Sequence, residues 1–575
     1  MLALIDNPVP MMRRAVCLAF LLLSPAAFQL VCAQTDAPAP AELQDAGQEG
    51  AARGAARPAD VPKDEDLEAM GAVIGNIAFD RNNVFDLSVP GENNWLYRTA
   101  NRWHVMTRES VIFAQLLFRQ GDIYSRRVID ESERILRRNN YLYDVRITPV
   151  AVKDGKVDIV VWTRDLWTLN PGFSVSRKGG ENKTRVSLTE QNLLGYGTYV
   201  RLAYEDNVDR ESTSFEFFDR NVRKSWTTLR LKLADNSDGD SQHLSVVRPF
   251  YALDARWALG GEIFNDELID RFYDLGERAA EYRQRVERYL LFGGRSRGLQ
   301  QGWVRRWTAG MVYDDNRFEP VQGGQLEAVV PEDRKLVYPF VGFELLEDEF
   351  EKSANRDQIE RTEDFYLGTR LTAQIGFASE GFGSNRDSLI YQGSYSKGWG
   401  SMDNRALLLR SALSGRFDDG DSANTLLSVD ARYYRQQSKK RLFFMTLDGA
   451  WGNELDLDNL LELGGDTGLR GYPLRYQTGE SRALFTIEQR YFTDWYPFRL
   501  FRVGVAAFAD IGRTWGRNPV ADESLGWLKD VGFGLRFAPT RSSGREIVHL
   551  DVAFPLDGDS SIDSVQVLLE SKRSF

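Results

Sequence analysis

Apolar and polar positions follow different periods along the chain, and the changes of period mark its segments. The one long apolar run, residues 15–33, follows Met12-Arg13-Arg14 and closes on Val31-Cys32-Ala33. A basic start, an apolar centre at 18–23 and small residues at the end spell a secretory signal, with cleavage expected after Ala33. Ser24-Pro25 interrupts the run, which counts against an uncleaved anchor helix. Residues 34–69 hold mainly Ala, Pro, Asp, Glu and Gln, with almost no large apolar side chains. Such a segment buries too little surface to offset its ordering entropy, so a disordered linker is expected.

From 70 to 165 the order reads strand, helix, helix, strand, strand. Val73-Ile74-Gly75-Asn76-Ile77-Ala78-Phe79 makes the opening strand, and a polar, irregular stretch with Asn93-Asn94-Trp95 follows. A first helix is expected over 108–119, broken by Gly121-Asp122, and a second from a Ser125 cap to about 139. In the second, Val128, Ile129, Ser132, Ile135 and Leu136 share one arc, with Arg and Glu elsewhere. Strands over 141–152 and 156–163, joined at Asp154-Gly155, complete a small α+β domain.

From 170 to 575 the helical period disappears and short alternating segments take over, separated by Asp, Asn, Gly and Ser. Over 365–377, Leu367, Thr369, Leu371, Ala373, Ile375 and Phe377 share one side, with Gly368, Arg370, Thr372, Gln374 and Gly376 on the other. Leu229, Leu231 and Leu233 alternate with Arg230 and Lys232; Val531, Phe533, Leu535 and Phe537 alternate with Gly532, Gly534 and Arg536. A sandwich core would not tolerate charges on its inner face, whereas a wet lumen would. The expected fold is therefore mainly β: a transmembrane antiparallel barrel of about 16 strands behind the small α+β domain. Closure matters because an open sheet edge in lipid would leave backbone groups unpaired. The final residue, Phe575, reads as a terminal barrel signal on a last strand over 565–575.

Composition narrows the class further. Residues that are 42% hydrophobic and 12% aromatic coexist with a mean hydropathy of −0.39, as one-sided strands allow. A polytopic helical protein is excluded, since it needs many spans of about 20 apolar residues. Both cysteines, Cys17 and Cys32, fall inside the signal, so the mature chain has no disulfide, thiolate catalyst or Cys-ligated zinc. Of 72 basic and 83 acidic residues, Arg13, Arg14 and Asp6 leave with the signal; the remaining 70 and 82 give −12, which argues against a nucleic-acid partner.

The strand-helix-helix-strand-strand order, with Gly121-Asp122 between helices and Tyr141-Leu142 opening the second strand, resembles a POTRA (polypeptide-transport-associated) domain. Glu190-Gln191-Asn192-Leu193-Leu194-Gly195-Tyr196-Gly197 resembles the N-L-x-G-x-G segment that opens barrels of one superfamily. That is the bacterial surface antigen or outer-membrane assembly-factor superfamily, with its BamA/TamA-type insertases and two-partner secretion transporters. Leu463-Gly464-Gly465-Asp466-Thr467-Gly468-Leu469-Arg470-Gly471-Tyr472-Pro473 is similar to the family's Arg-Gly-Tyr/Phe lid-loop motif, with leucine where valine is commoner. Phe508-Ala509-Asp510-Ile511-Gly512 is similar to its F-x-D-x-G strand.

The resemblance covers residues 70–575. It implies a POTRA domain in the periplasm, a 16-stranded barrel in the bacterial outer membrane, and an extracellular lid, with Arg470, Gly471 and Tyr472, folded back into the lumen. Alternation turns Glu488 and Asp510 inward as the expected luminal partners of Arg470, whose planar fork suits carboxylates. The chain departs from the family in having one POTRA-like domain, no amphipathic N-terminal plug helix, and Ser571 and Arg573 on the outward face of its last strand.

Catalytic chemistry is not visible. His104, His243 and His549 are scattered without metal-ligand spacing, and no G-x-S-x-G is present. His549 alternates inward beside Asp551 without an identifiable serine, and Asp314-Asp315, Asp456 and Asp458 read as solvated loop charges. No enzyme activity, cofactor or metal is expected. The expected partners are outer-membrane lipid and lipopolysaccharide, together with unfolded polypeptide clients received by strand addition at the POTRA-like domain. The leading expectation is assembly, insertion or translocation of such clients; the alternative is a passive pore or surface antigen.

Overall fold

The computed structural model describes residues 56–178, 181–322, 329–521, 525–543, 546–558 and 562–575. The expected signal and linker residues 34–55 lie outside them. The end of the expected linker is folded: Asp64–Ala69 is a helix whose Leu67 is fully buried in the core of the small domain. Leu67 is one of the few large apolar residues there, and a single well-placed anchor is enough to order a short helix.

The small domain is a three-stranded sheet under a helix. Strand β1 (Val73–Asn82) runs parallel to β3 (Lys156–Asp165), which pairs antiparallel with β2 (Leu142–Lys153), so β2 is an edge strand. Ile129 and Leu136 on the helix Arg126–Arg137 pack with Ile147, Val157, Ile159 and Val161. Two expectations are corrected. The helix expected over 108–119 shortens to Glu109–Phe113, and the stretch read as irregular holds a helix, Trp95–Trp103. The Asn94 side chain accepts from Tyr97 N at 2.9 Å, a cap that supplies the start signal.

Beyond it, twenty strands form one antiparallel sheet in circular order, from Leu169–Lys178 to Gln566–Lys572. The expected number near 16 is too low. Connections at 237–238, 275–276, 301–302, 419–420 and 439–440 have two residues each, leaving more chain for strands than long loops would. The last strand, the shortest of the twenty, comes round beside the first. At this seam no run of paired residues is seen among the described residues, whereas each other neighbouring pair has one.

Alternation sets the two faces. In Arg370–Ala378, Leu371, Ala373, Ile375 and Phe377 are exposed on the outside while Gln374, Gly376 and Ala378 are buried. Phe365 and Leu367 do not continue that face; they leave the wall and are buried within the barrel mouth. Among the described residues, no helix is long and apolar enough to cross a membrane.

Candidate functional site

The barrel has a near end, where the small domain sits, and a far end. Strand direction puts connection 454–480 at the far end and 348–369 at the near end. Both turn inward.

At the far end, Leu461–Leu463 pairs with Gln477–Gly479 as a small hairpin, and Leu463, Leu469, Tyr472 and Tyr476 are buried together. Strand Ser481–Phe492 buries Thr486, Glu488 and Arg490, and strand Phe501–Trp515 buries Phe508 and Asp510, so both present polar groups to the lumen. Arg470 Nε and Nη2 donate to Asp510 at 2.7 and 2.9 Å, and Nη1 donates to Glu488 at 2.9 Å. Its guanidinium lies 3.3 Å from the centre of the Phe508 ring, adding a cation–π contact. Gly471 N donates to Asp530 Oδ2 at 3.0 Å. A Cβ at Gly471 would come within 2.6 Å of Asp530 Cβ, so this approach requires glycine. Tyr472 is fully buried and donates to Asp557 Oδ1 at 2.6 Å. Arg475 reaches across to Asp209 with bonds of 2.8 and 2.9 Å, so the segment spans the lumen.

The near-end segment was not legible as a site. Phe350–Ser353 and Glu363–Tyr366 pair as a hairpin, and Ile359, Phe365 and Leu367 join Tyr434, Phe444, Phe492 and Phe575 in one buried cluster. Phe575 lies beyond the last strand, 2% exposed, with its ring 4.8 Å from that of Phe492. The last strand, expected over 565–575, therefore stops at Lys572, and the last residues turn inside. Gly504 makes room, since a Cβ there would sit 2.3 Å from the Phe575 ring. Phe575 N donates to Asp357 O at 2.8 Å.

Glu488 touches both systems. Its Oε1 accepts from Arg470, and its Oε2 accepts at 2.9 Å from Arg490, which donates onward to Arg356 O at 2.9 Å. The near segment is also held by the small domain. Arg137 forks onto Asp364 at 2.7 and 2.8 Å, Arg361 donates to Leu142 O at 2.8 Å, and Lys352 lies 2.6 Å from Glu133. Burial raises the Asp144 carboxyl beside them, although Arg137 opposes the shift. Burial would also raise Asp130, but Arg126 and Lys352 outweigh it and hold that carboxyl below its ordinary range.

Asp456 and Asp458, read as solvated, are forked by Arg416 and Arg334, respectively. Asp315 is paired with Arg317, and Asp314 accepts from Asn316. His549, Asp551 and Glu570 meet within 4.8 Å. Arg536 pairs with Asp551 and Lys572 with Glu570, so cations already match those carboxylates. His104 contacts Asp165 at 3.1 Å in the small domain, and His243 lies 3.4 Å from Glu262, far along the chain from that trio.

No protein-family model and no curated protein matches the chain. Among solved structures, BamA from Haemophilus ducreyi lacking POTRA domains 1–3 is 12% identical, covers 87% of this chain and 85% of its own, and has a TM-score of 0.37. CdiB from Acinetobacter baumannii is 12% identical over 88% of this chain and 74% of its own, at a TM-score of 0.43. CdiB from Escherichia coli is 14% identical over 87% and 76%, also at 0.43.

Proposed function

We propose that this protein is an outer-membrane barrel that assembles, inserts or translocates polypeptide clients, with the small domain acting in the periplasm as a POTRA-like receiver. Segment 454–480 is then its extracellular lid and 348–369 a periplasmic plug, while the apolar outer face meets lipid and lipopolysaccharide. The carrying observation is the anchorage of Arg470 on Asp510 and Glu488 within the lumen. This anchorage holds a folded-in segment inside the lumen through one buried charge cluster, which breaks as a unit when a partner is displaced, as a gate requires.

The receiving edge is β2. Val145 O accepts from Arg137 at 2.9 Å and Ile147 N donates to Glu133 at 2.7 Å, so helix side chains occupy positions that an added strand would take. A groove of about 340 Å³ follows this edge, with Lys352 and Thr362 of the plug on its wall. A client strand displacing Arg137 and Glu133 would also release their partners in the plug. Strand addition of this kind needs neither ATP nor a catalytic residue.

Deleting residues 56–165 while retaining the signal and the barrel tests this reading, with heat-modifiable migration checking that the barrel still forms. Loss of a defined set of secreted or outer-membrane proteins supports client handling. Unchanged clients with altered small-solute permeability would favour a passive pore.

A further inference from the structure

The helix Trp95–Trp103 presents an unusual face. At 100° per residue, Trp95, Thr99, Trp103 and Leu96 fall within an arc of about 100°. Trp95 and Trp103 are 72% and 77% exposed, and Val105 just beyond is also exposed. The opposite side carries Tyr97, stacked on Phe85 with ring centres 4.1 Å apart. Arg98 and Arg102 border the apolar arc, both exposed. An amphipathic helix normally turns such an arc into a core; this one turns it away.

Its position explains the inversion. Tyr97 donates its hydroxyl to Phe498 O, in the near-end turn between strands Ser481–Phe492 and Phe501–Trp515. Further on, Arg108 bonds Gly195 O at 3.0 Å and Leu194 O at 3.1 Å, in the near-end turn between Glu181–Glu190 and Tyr199–Asp206. Those two turns lie on either side of the seam in the circular order, four strands before it and two strands after it. Residues 95–108 therefore link the rim on the two sides of the seam. Both turns add exposed apolar side chains: Trp495 and Phe498 on one side, Leu194 and Tyr196 on the other. The exposed helix face thus lies among further exposed apolar side chains at the near end of the barrel.

We propose that residues 95–105 lie in the membrane interface below the seam, with Trp95, Leu96, Trp103 and Val105 at the boundary between phospholipid headgroups and acyl chains. This rests on the reading that the barrel spans the membrane. Indole rings are suited to that boundary, being apolar with one donor edge, and a helix with this profile lies in the plane of the interface. Arg98 and Arg102 then stand at the height of the phosphates. The helix fixes the small domain against lipid beside the seam, in addition to its contacts with the barrel.

The cysteine-free mature chain permits a direct test. Single variants Leu96→Cys, Trp103→Cys, Ile375→Cys on the outer barrel wall and Lys153→Cys on the small domain are spin-labelled. The full chain is placed in phosphatidylethanolamine/phosphatidylglycerol vesicles, and label collisions with oxygen and with a water-soluble nickel chelate are compared. The oxygen-to-nickel ratio at 96 and 103 is expected to rise severalfold over that at 153. Water-exposed labels at 96 and 103 alongside a lipid-exposed label at 375 would overturn the proposal and leave the membrane reading standing. A water-exposed label at 375 would sink both. Labels at 96 and 103 that are wet in pure lipid and shielded only in native membranes would overturn lipid in favour of a protein partner.

Discussion

The two inward segments close on the same lumen by different physics. The far segment is fixed by direction: one guanidinium forked onto Asp510 and shared with Glu488, all three nearly buried. The near segment is fixed by area: Ile359, Phe365 and Leu367 seated with Phe575 among aromatic rings, and polar contacts to the small domain around them. Buried charge pairs confer little net stability but fail abruptly when one partner is lost. Apolar seats fail in proportion to the area removed. One entrance is thus built as a latch and the other as a fitted stopper, joined through Glu488 and Arg490.

Glu488→Ala is expected to have the largest effect, about 3–5 kcal/mol, because it removes the carboxylate that Arg490 bonds and leaves Arg470 on Asp510 alone. Both segments should become protease-sensitive in the purified protein, with heat-modification at a lower temperature; loosening of one segment alone would break the proposed link. Arg470→Ala should cost about 3 kcal/mol and free only the far segment, lowering surface abundance. Unchanged abundance, heat-modifiability and activity would count against its anchoring role. Phe365→Ala removes an apolar seat and should cost about 3 kcal/mol at the near end, leaving the far segment as protected as before. Arg137→Ala, which loses a fork onto Asp364, should cost about 1–2 kcal/mol and loosen the small domain from the near segment, read as faster hydrogen exchange over 350–366.

The near segment also responds to pH. Burial, and then the neighbouring Asp357, push the Glu363 carboxyl up from 4.5 to about 8. A raised acid stabilises the docked segment fully below its unfolded value and loses that contribution as pH rises through the folded one. Protection of 350–366 should therefore decline between about pH 4.5 and 8, and Glu363→Gln should flatten the profile.

The far latch was legible because its parts are local and periodic. Arg470-Gly471-Tyr472 is a contiguous string, and alternation alone puts Glu488 and Asp510 on one face of their strands. The near stopper was not. Phe365 and Leu367 sit in register with Leu371 and Ile375, so period two assigns them outward, and only the bend at 367–369 removes them from the wall. Phe575 likewise looks like a strand residue until the strand ends at Lys572. The helix Trp95–Trp103 carried a readable signal, an Asn cap before a spaced Trp pair, that the surrounding polar residues hid.

By itself the sequence determined the small α+β domain, the one-sided strands that follow it and the polarity of each face, because these depend on periods of a few residues. Only the tertiary structure decided that there are twenty strands rather than about 16, that the C-terminus is tucked inside, and that two distant connections meet across Glu488. Strand number depends on where turns fall, and luminal contacts on which strands become neighbours when the sheet curls round. Residues some hundred positions apart are brought together by that curvature, which leaves no period in the chain.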